Sequence, residues 1–357
     1  MMKRLSIIIP TYNMEHYLAN ALDSIVVCER CADIDVVVVN DGSRDGSLSI
    51  ALGYADAYPD TVRVIDKENG NYGSTINAAL GSLWGEYVKI LDADDRFDSA
   101  ALDDFVGQLE AVSGTDVVVS PYIEEGRDGM HRCDYDLYGK QMFKTVCRYS
   151  LDEVLAAGQL RPFAMHALTY RTALLRESGY RQSEGISYTD REWAFYPMFY
   201  AESIAFTSTP IYIYNTAREG QTMDLQVIVR SISHLQQVAQ AMGKYFIEHS
   251  DKALSMSRRR FLQAAVEERM RVIYRLYPIT MPSEMFIRDE FEQCDKQLSM
   301  LLAECGIPQI KVRQNAMLPI DALQYWRRCH KRLPDWVRSL LIRLDRRMAW
   351  LHSHLFR

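Results

Sequence analysis

Several things are missing from this sequence, and each absence excludes a class. No run of eighteen apolar residues occurs, so no segment reads as a transmembrane helix. There is no GxxxxGK[ST] phosphate loop, no internal repeat and no low-complexity tract, which removes P-loop NTPases and repeat arrays. The seven cysteines are an odd count, and Cys28 and Cys31 form one CxxC with no second pair at zinc-site spacing. They read as free thiols in a reducing cytoplasm, not as a disulfide framework or a metal ribbon. The opening MMKRLSIIIP runs into TYN without a small-residue cleavage site, so it reads as a first β-strand and not as a secretory leader.

What is present is globular: 48% hydrophobic, 25% charged and 11% aromatic residues. The 357 residues suit one large domain with an appendage, or two domains. The formal charge of −6 conceals an asymmetry. Residues 311–357 hold eleven Lys/Arg against three Asp/Glu, a net of +8, whereas residues 1–310 hold 30 against 44, a net of −14. No nucleic-acid motif accompanies the basic tail and the body is acidic, so nucleic acid is not the expected partner.

Hydrophobic patterning predicts strands at 5–9, 34–39, 62–66, 87–91 and 116–120, alternating with helices at 15–28, 45–58, from Gly73 or Ser74, and at 99–112. Such alternation means a parallel, doubly wound sheet. Ligands of such sheets lie beyond the carboxyl ends of the strands. Three strands end in Thr11-Tyr12-Asn13, Asn40-Asp41-Gly42-Ser43 and Asp92-Ala93-Asp94-Asp95, so these polar residues are expected on one rim. Residues 121–165 read as loops with a β-excursion, 188–200 as a helix start, 204–206 and 211–214 as strands, and 225–305 as helical with a break near Pro278–Pro282.

The residue types on the rim suggest chemistry. Asp92 and Asp94, at i and i+2 on a turn leaving a buried strand, can share a divalent cation through hard oxygen ligands; the alternative is a solvated acidic turn or helix cap. A cation there would stabilise a diphosphate leaving group. Asp41 can accept from a uracil imide or a ribose hydroxyl, or it closes an Asx-turn. The loop Glu68-Asn69-Gly70-Asn71-Tyr72-Gly73 opens a helix whose N–H groups can face an anion.

The ordered set of PTYN, VVNDGSRDGS, ENGNYGSTINAAL and LDADD resembles the inverting family 2 glycosyltransferases of GT-A fold, densely over the first 120 residues and more loosely to about 222. The resemblance implies an α/β GT-A fold and transfer of a sugar from a nucleotide-diphospho-sugar, most naturally a UDP-sugar, to a glycan or lipid-linked acceptor. It implies that Pro10, Thr11, Tyr12, Asn13 and Asp41 hold the uridine and that Asn69, Gly73 and Asn77 line the donor pocket. Asp92 would lie near the ribose, with Asp94 as main ligand of Mg²⁺ or Mn²⁺. Asp190, in YTDREW, corresponds to the general base, the alternative being helix capping. Trp193 would stack on a sugar or sit in the core. Arg218, Gln221 and Thr222 resemble a loop closing over diphosphate and acceptor, with Arg218 as phosphate clamp or surface ion pair. His166 lines the acceptor side or is structural. Ile76 stands where many members carry a basic residue, so a cationic contact to the nucleotide is absent or comes from Lys67 or Lys89.

The implied organisation is a transferase domain over 1–225, with nucleotide and acceptor halves meeting near 120, a helical region over 226–310 and a basic segment over 311–357. In the last, Trp336, Leu340, Leu344, Met348, Leu351 and Leu355 share one helical stripe with arginines beside it. Such a helix lies on an anionic membrane surface, packs on the acidic body or joins a second subunit. The competing functional classes are a non-catalytic nucleotide-sugar-binding protein and a sugar nucleotidyltransferase. The latter is disfavoured because the first strand ends in PTYN and not in a Gly-rich basic loop.

Overall fold

The structure, a computed structural model, describes residues 3–126, 129–133, 143–157, 162–216, 225–308, 310, 313–315 and 318–344. The chain divides into two compact units, Met1–Glu219 with Lys252–Leu262, and Gly220–Asp251 with Gln263–Arg357.

The first unit is built on an eight-stranded sheet. Its first half follows the sequence pattern closely: β1 (Lys3–Thr11), α1 (Leu18–Val26), β2 (Ile34–Asp41), α2 (Ser47–Ala57), β3 (Val62–Lys67), α3 (Asn71–Leu80) and β4 (Gly85–Ile90). Strands β3, β2, β1 and β4 lie side by side and parallel. β1 is buried from Leu5 to Thr11 and β2 along its whole length, as strands covered on both faces must be. Leu18, Leu22 and Ile25 of α1 pack into the same core. The carboxyl ends of β1, β2 and β4 therefore share one edge.

The second half of the unit departs from a simple winding. After β5 (Arg96–Phe97) and α4 (Ser99–Ala111) come β6 (Val117–Val119), β7 (Tyr122–Gly126), β8 (Gly129–Cys133), β9 (Arg148–Ser150), α5 (Leu151–Ala157) and β10 (Leu168–Arg171). α6 (Thr172–Glu177), α7 (Asp190–Trp193), β11 (Ser203–Phe206) and β12 (Tyr212–Asn215) complete it. β10 enters antiparallel between β4 and β6, so β6 does not neighbour β4 as the alternation implies. Asp116 explains the arrangement. It accepts from the Arg171 guanidinium at 3.0 and 2.8 Å, and from the Ser203 N–H and hydroxyl at 3.1 and 3.0 Å, tying β10 and β11 to the start of β6. A second sheet, β5-β12-β7-β8, carries the excursion expected for 121–165. β12 runs parallel to β7 and antiparallel to β5, so the turn after β4 leads directly into the sheet of the acceptor half.

The helices α8 (Leu225–Arg230), α9 (Ile232–Glu248), α10 (Met256–Arg275), α11 (Arg288–Glu304) and α12 (Ala322–Cys329) follow, with a short hairpin of β13 (Arg313–Asn315) and β14 (Leu318–Asp321). In the second unit α9 packs on α11 so closely that a Cβ at Gly243 would lie 2.6 Å from Leu301. Trp326 is buried edge-on against Phe291 and Phe286. Within the basic segment, α12 ends at His330 in the left-handed conformation, and helix resumes over 335–344 at the start of the expected stripe. Arg338 is buried there, donating to the carbonyls of Ile279 and Met281 at 2.9 and 3.0 Å. Arg327 grips Asp295 at 2.7 and 3.1 Å, so part of the basic excess is spent internally. Trp336 is 72% and Leu340 42% exposed. Met348, Leu351 and Leu355 lie outside the described residues. Among the described residues no helix is long and apolar enough to cross a membrane.

Candidate active site

The parallel edge of the first sheet gathers the expected residues. At the end of β1, Thr11 is buried and its hydroxyl donates to the Ile9 carbonyl at 3.1 Å, while the Tyr12 ring stands 44% exposed as an open face. Asn13 adopts a positive φ of 54° and joins two loops: its Oδ1 accepts from the Arg44 N–H at 2.8 Å, and its N–H donates to the Ser43 hydroxyl at 3.0 Å. At the end of β2, Gly42 turns the chain with φ +71°, where its missing Cβ lets the Asn69 backbone approach.

Asp41 is buried and already engaged. Its Oδ1 accepts from Lys67 Nζ at 2.7 Å and from the Gly70 N–H at 2.9 Å. The Asn69 side chain donates to the Asp41 carbonyl at 2.9 Å. This network shapes the loop that opens α3 and places Lys67 at the pocket edge. Lys89 cannot serve the nucleotide, because it is fully buried with its ammonium on the carbonyls of His166 at 2.6 Å and Leu168 at 3.2 Å. Burial lowers its pKa to about 7. Ile76 is buried too.

Two residues expected to line the donor pocket also join α3 to the segment 182–184. A Cβ at Gly73 would stand 2.0 Å from the Ser183 carbonyl, so glycine is there for close packing of α3 on 182–184. Asn77 spends its amide on the same segment, donating to the Gln182 carbonyl at 2.9 Å and to Glu184 at 2.8 Å and accepting from the Gln182 N–H at 2.9 Å. The donor half is thereby clasped to the acceptor half. Glu192, fully buried, holds the other side of the clasp, accepting from the N–H and hydroxyl of Ser183 at 2.7 Å each.

Beyond β4 the acidic turn closes with an Asp95 N–H to Asp92 carbonyl bond of 3.0 Å. That turn sets Asp92 beside Asp95, whereas continued strand alternation would have paired Asp92 with Asp94. Among the described residues, the groups that converge are Asp92, Asp95 and His166, whose ligand atoms lie within 4.8 Å of one another; Asp94 is not among them. Asp95 is buried and accepts from the Tyr212 hydroxyl at 2.5 Å and from the Asn215 N–H at 2.8 Å. Burial, then the Asp92 and Asp94 charges, hold its pKa well above the usual carboxylate range. Asp98, further along, caps α4 through the Ala101 N–H at 3.0 Å.

His166 reaches this turn from a short 3₁₀ turn, Met165–Ala167, ahead of β10. Its ring lies on Tyr214 at 4.4 Å, with Tyr212 at 4.7 Å and Tyr122 at 5.2 Å between centroids. Burial, then the Lys89 and Arg191 charges, lowers its pKa to about 3, so the imidazole is neutral. The chemistry of the three groups fits a divalent cation: two carboxylates and a neutral imidazole whose ligand atoms converge on one point.

Asp190 is the first residue of α7, delivered by Tyr188 at a positive φ of 68°, an uncommon conformation for an aromatic residue. It makes no cap for α7; its carboxylate stands 3.3 Å from the Arg191 guanidinium and is half-buried. Tyr72 stands at the acidic turn. The Tyr72 hydroxyl donates to Asp92 at 2.9 Å, and its pKa is raised by burial, then by the charges of Asp92 and Asp190. Trp193, by contrast, is fully buried with Tyr170 and Tyr180 edge-on at 5.0 and 5.6 Å, so it is a core residue and offers no face to a sugar. Arg218, Gln221 and Thr222 lie outside the described residues. The CxxC thiols are free, and burial, then Asp103, pushes Cys28 up to about 12. An open cavity of about 530 Å³ lined by Asp289, Glu292, Lys296 and Arg327 lies in the second unit and includes none of these residues.

Tyr72, Asp95, Tyr212 and Glu192 escaped the sequence reading. Only Asp95 carried a signal, as a third carboxylate in DADD; the others act through partners that sequence spacing does not reveal.

The first unit has a GT-A-like α/β fold with a mostly parallel central sheet. Residues 6–175 match the family described as Glycosyl transferase family 2. Over 214 residues it is 28% identical to the putative glycosyltransferase EpsH of Bacillus subtilis, covering 58% of this chain and 60% of EpsH. It is 34% identical over 129 residues to the minor teichoic acid biosynthesis protein GgaB of B. subtilis, covering 35% of this chain and 14% of GgaB. The chain thus spans about 60% of the length of the first curated relatives it matches. Among solved structures, S. aureus TarS 1–349 superposes with a TM-score of 0.58 at 21% identity, covering 85% of this chain and 88% of TarS 1–349. The same protein in complex with UDP-GlcNAc gives 0.51 at 18% identity, over 89% of this chain and 99% of that one. At this identity the likeness is one of fold.

Proposed function

We propose that the chain is an inverting, metal-assisted glycosyltransferase using a UDP-sugar. The observation that carries the reading is the parallel edge itself, where the ends of β1, β2 and β4 bring Thr11, Asp41 and Asp92 together and the Tyr72 hydroxyl donates to Asp92 at 2.9 Å. In the proposed reaction Asp190 takes the proton of an acceptor hydroxyl as its oxygen bonds the anomeric carbon from the face opposite the diphosphate. The bond from that carbon to the diphosphate oxygen breaks, UDP leaves with the electron pair, and the anomeric configuration inverts. A Mg²⁺ or Mn²⁺ ion held at Asp92 and its neighbours would neutralise charge developing on the diphosphate. The exposed Tyr12 ring is the platform for the base, with Pro10, Thr11 and Asn13 fixing its approach. Asp41, held by Lys67, presents its remaining lone pairs to the nucleoside.

The acceptor is a hydroxyl of a cell-surface glycan or lipid-linked sugar, a reading supported by the resemblance to GgaB. The setting is the cytoplasm, which suits seven free thiols. The exposed Trp336 and Leu340, with Arg343 exposed beside them, would touch the inner face of an anionic membrane. The test is UDP release from a panel of UDP-sugars with Mn²⁺ and a glycan acceptor mixture. Release with one sugar supports the proposal. Silence across the panel, with no UDP binding, contradicts it. For the tail, vesicle co-sedimentation is compared with Trp336→Ser/Leu340→Ser, and equal binding rejects the membrane contact.

A further inference from the structure

The turn that carries His166 is built with unusual care for a residue of the acceptor half. Lys89, fully buried, places its ammonium on the His166 carbonyl at 2.6 Å and on the Leu168 carbonyl at 3.2 Å, fixing the backbone on both sides of Ala167. The ring itself is packed against Tyr122, Tyr212 and Tyr214, which come from β7 and β12. Tyr212 does double duty, since its hydroxyl donates to Asp95 at 2.5 Å and accepts from the Asp92 N–H at 3.2 Å. One tyrosine therefore packs on the histidine and ties down the Asp95 carboxylate and the Asp92 backbone. Asp95 Oδ2 accepts from the Tyr212 hydroxyl and Oδ1 from the Asn215 N–H, and a carboxylate oxygen carries more than one lone pair. An imidazole nitrogen and two carboxylate oxygens within 4.8 Å of one another, on three immobilised side chains, make a mixed nitrogen–oxygen donor set.

We infer that His166 is a direct ligand of the catalytic cation, together with Asp92 and Asp95, and that this nitrogen makes the site favour Mn²⁺ over Mg²⁺. The inference rests on the transferase reading above and goes beyond it in naming the ligand set and the metal. Carboxylate and water serve Mg²⁺ and Mn²⁺ alike, whereas imidazole binds the transition ion better and is a poor partner for Mg²⁺. The acidic turn on its own would show no such preference. Because His166 arrives from the acceptor half, the cation would also bind the two halves of the unit together.

The experiment uses the full chain and Mn²⁺, alone and with UDP. Electron spin echo modulation of the bound Mn²⁺ reads a ¹⁴N coupling from a ligating imidazole directly, with no need for turnover. The expected result is ¹⁴N modulation in the wild type and its loss in His166→Asn and His166→Gln, each first shown to be folded by circular dichroism. In the variants Mn²⁺ affinity should fall about tenfold or more, and the preference over competing Mg²⁺ should shrink by a similar factor. Bound Mn²⁺ without ¹⁴N modulation, or modulation unchanged in both variants, overturns the assignment of His166. UDP binding with no Mn²⁺ binding overturns the cation site, and failure to bind either UDP or Mn²⁺ overturns the functional reading on which it rests.

Discussion

The two halves of the first unit reach the same site by different routes. In residues 3–120 each functional group sits where a strand stops, so backbone topology alone brings Thr11, Asp41 and Asp92 to one edge. In residues 121–216 the groups arrive through side chains. His166, Tyr212 and Tyr214 stack into the acidic turn, and Asp190 is hung from a short helix held by Glu192 and Ser183. The difference teaches that the donor rim is a property of the fold, while the acceptor side is a property of packing. Substitutions in the joint between the halves should therefore be more damaging than substitutions at the exposed donor rim.

Gly73→Ala attacks the joint most severely. The new Cβ cannot stay 2.0 Å from the Ser183 carbonyl, so α3 or the 182–184 segment must move. A stability loss of about 3 kcal/mol is expected in urea unfolding, at the upper end for overpacking. Lys89→Met should cost about 2 kcal/mol, because the His166 carbonyl loses its buried donor. It should also change the pH dependence. Folded Lys89 has a pKa near 7, while the unfolded chain keeps that proton to about pH 10. The unfolded state thus binds more protons between those values, and wild-type stability should rise with pH across that window. The Lys89→Met protein should have lost that slope, and a slope unchanged in the variant would assign it to another group.

Tyr212→Phe keeps the ring stack on His166 but removes the hydroxyl from Asp95 and Asp92. It should cost about 1–2 kcal/mol and loosen the acidic turn, seen as weaker Mn²⁺ binding. Tyr12→Ala lies at the other end of the comparison. Its ring is exposed, so stability should change by less than about 0.5 kcal/mol. UDP affinity should nevertheless drop by the ~1–3 kcal/mol that stacking of one base is worth. Calorimetric titration with UDP checks it, and an unchanged affinity would take the platform role away from Tyr12.

The contrast between the halves also sets what was legible in the sequence. β1 to β4 and their helices were readable because a buried parallel strand is a continuous apolar run and its end is a polar punctuation. Asp41 and Asp92 stood out because each occupies such a boundary, whereas Asp190 was marked only by the family resemblance of YTDREW. Asp92 with Asp94 was the natural pairing for an extended chain, and the turn instead set Asp92 beside Asp95. Asn77 and Gly73 belong to the clasp, since their partners lie more than a hundred residues away and no local spacing announces them. Trp193 was ambiguous between core and platform until its two tyrosine neighbours were seen. β10 inserts antiparallel and is held there by Arg171 on Asp116, a pair joined across 55 positions.

The central claim is that Asp190 from the packed half acts on a donor held by the half built on strand ends. It is tested most directly by measuring UDP affinity and UDP release side by side in wild type and Asp190→Asn, with the sugar nucleotide found active in the panel. Release should fall by about 10²–10⁴-fold, the range for loss of a general base, while UDP affinity stays within about twofold. Release that survives the substitution, or affinity that collapses together with it, would contradict the claim.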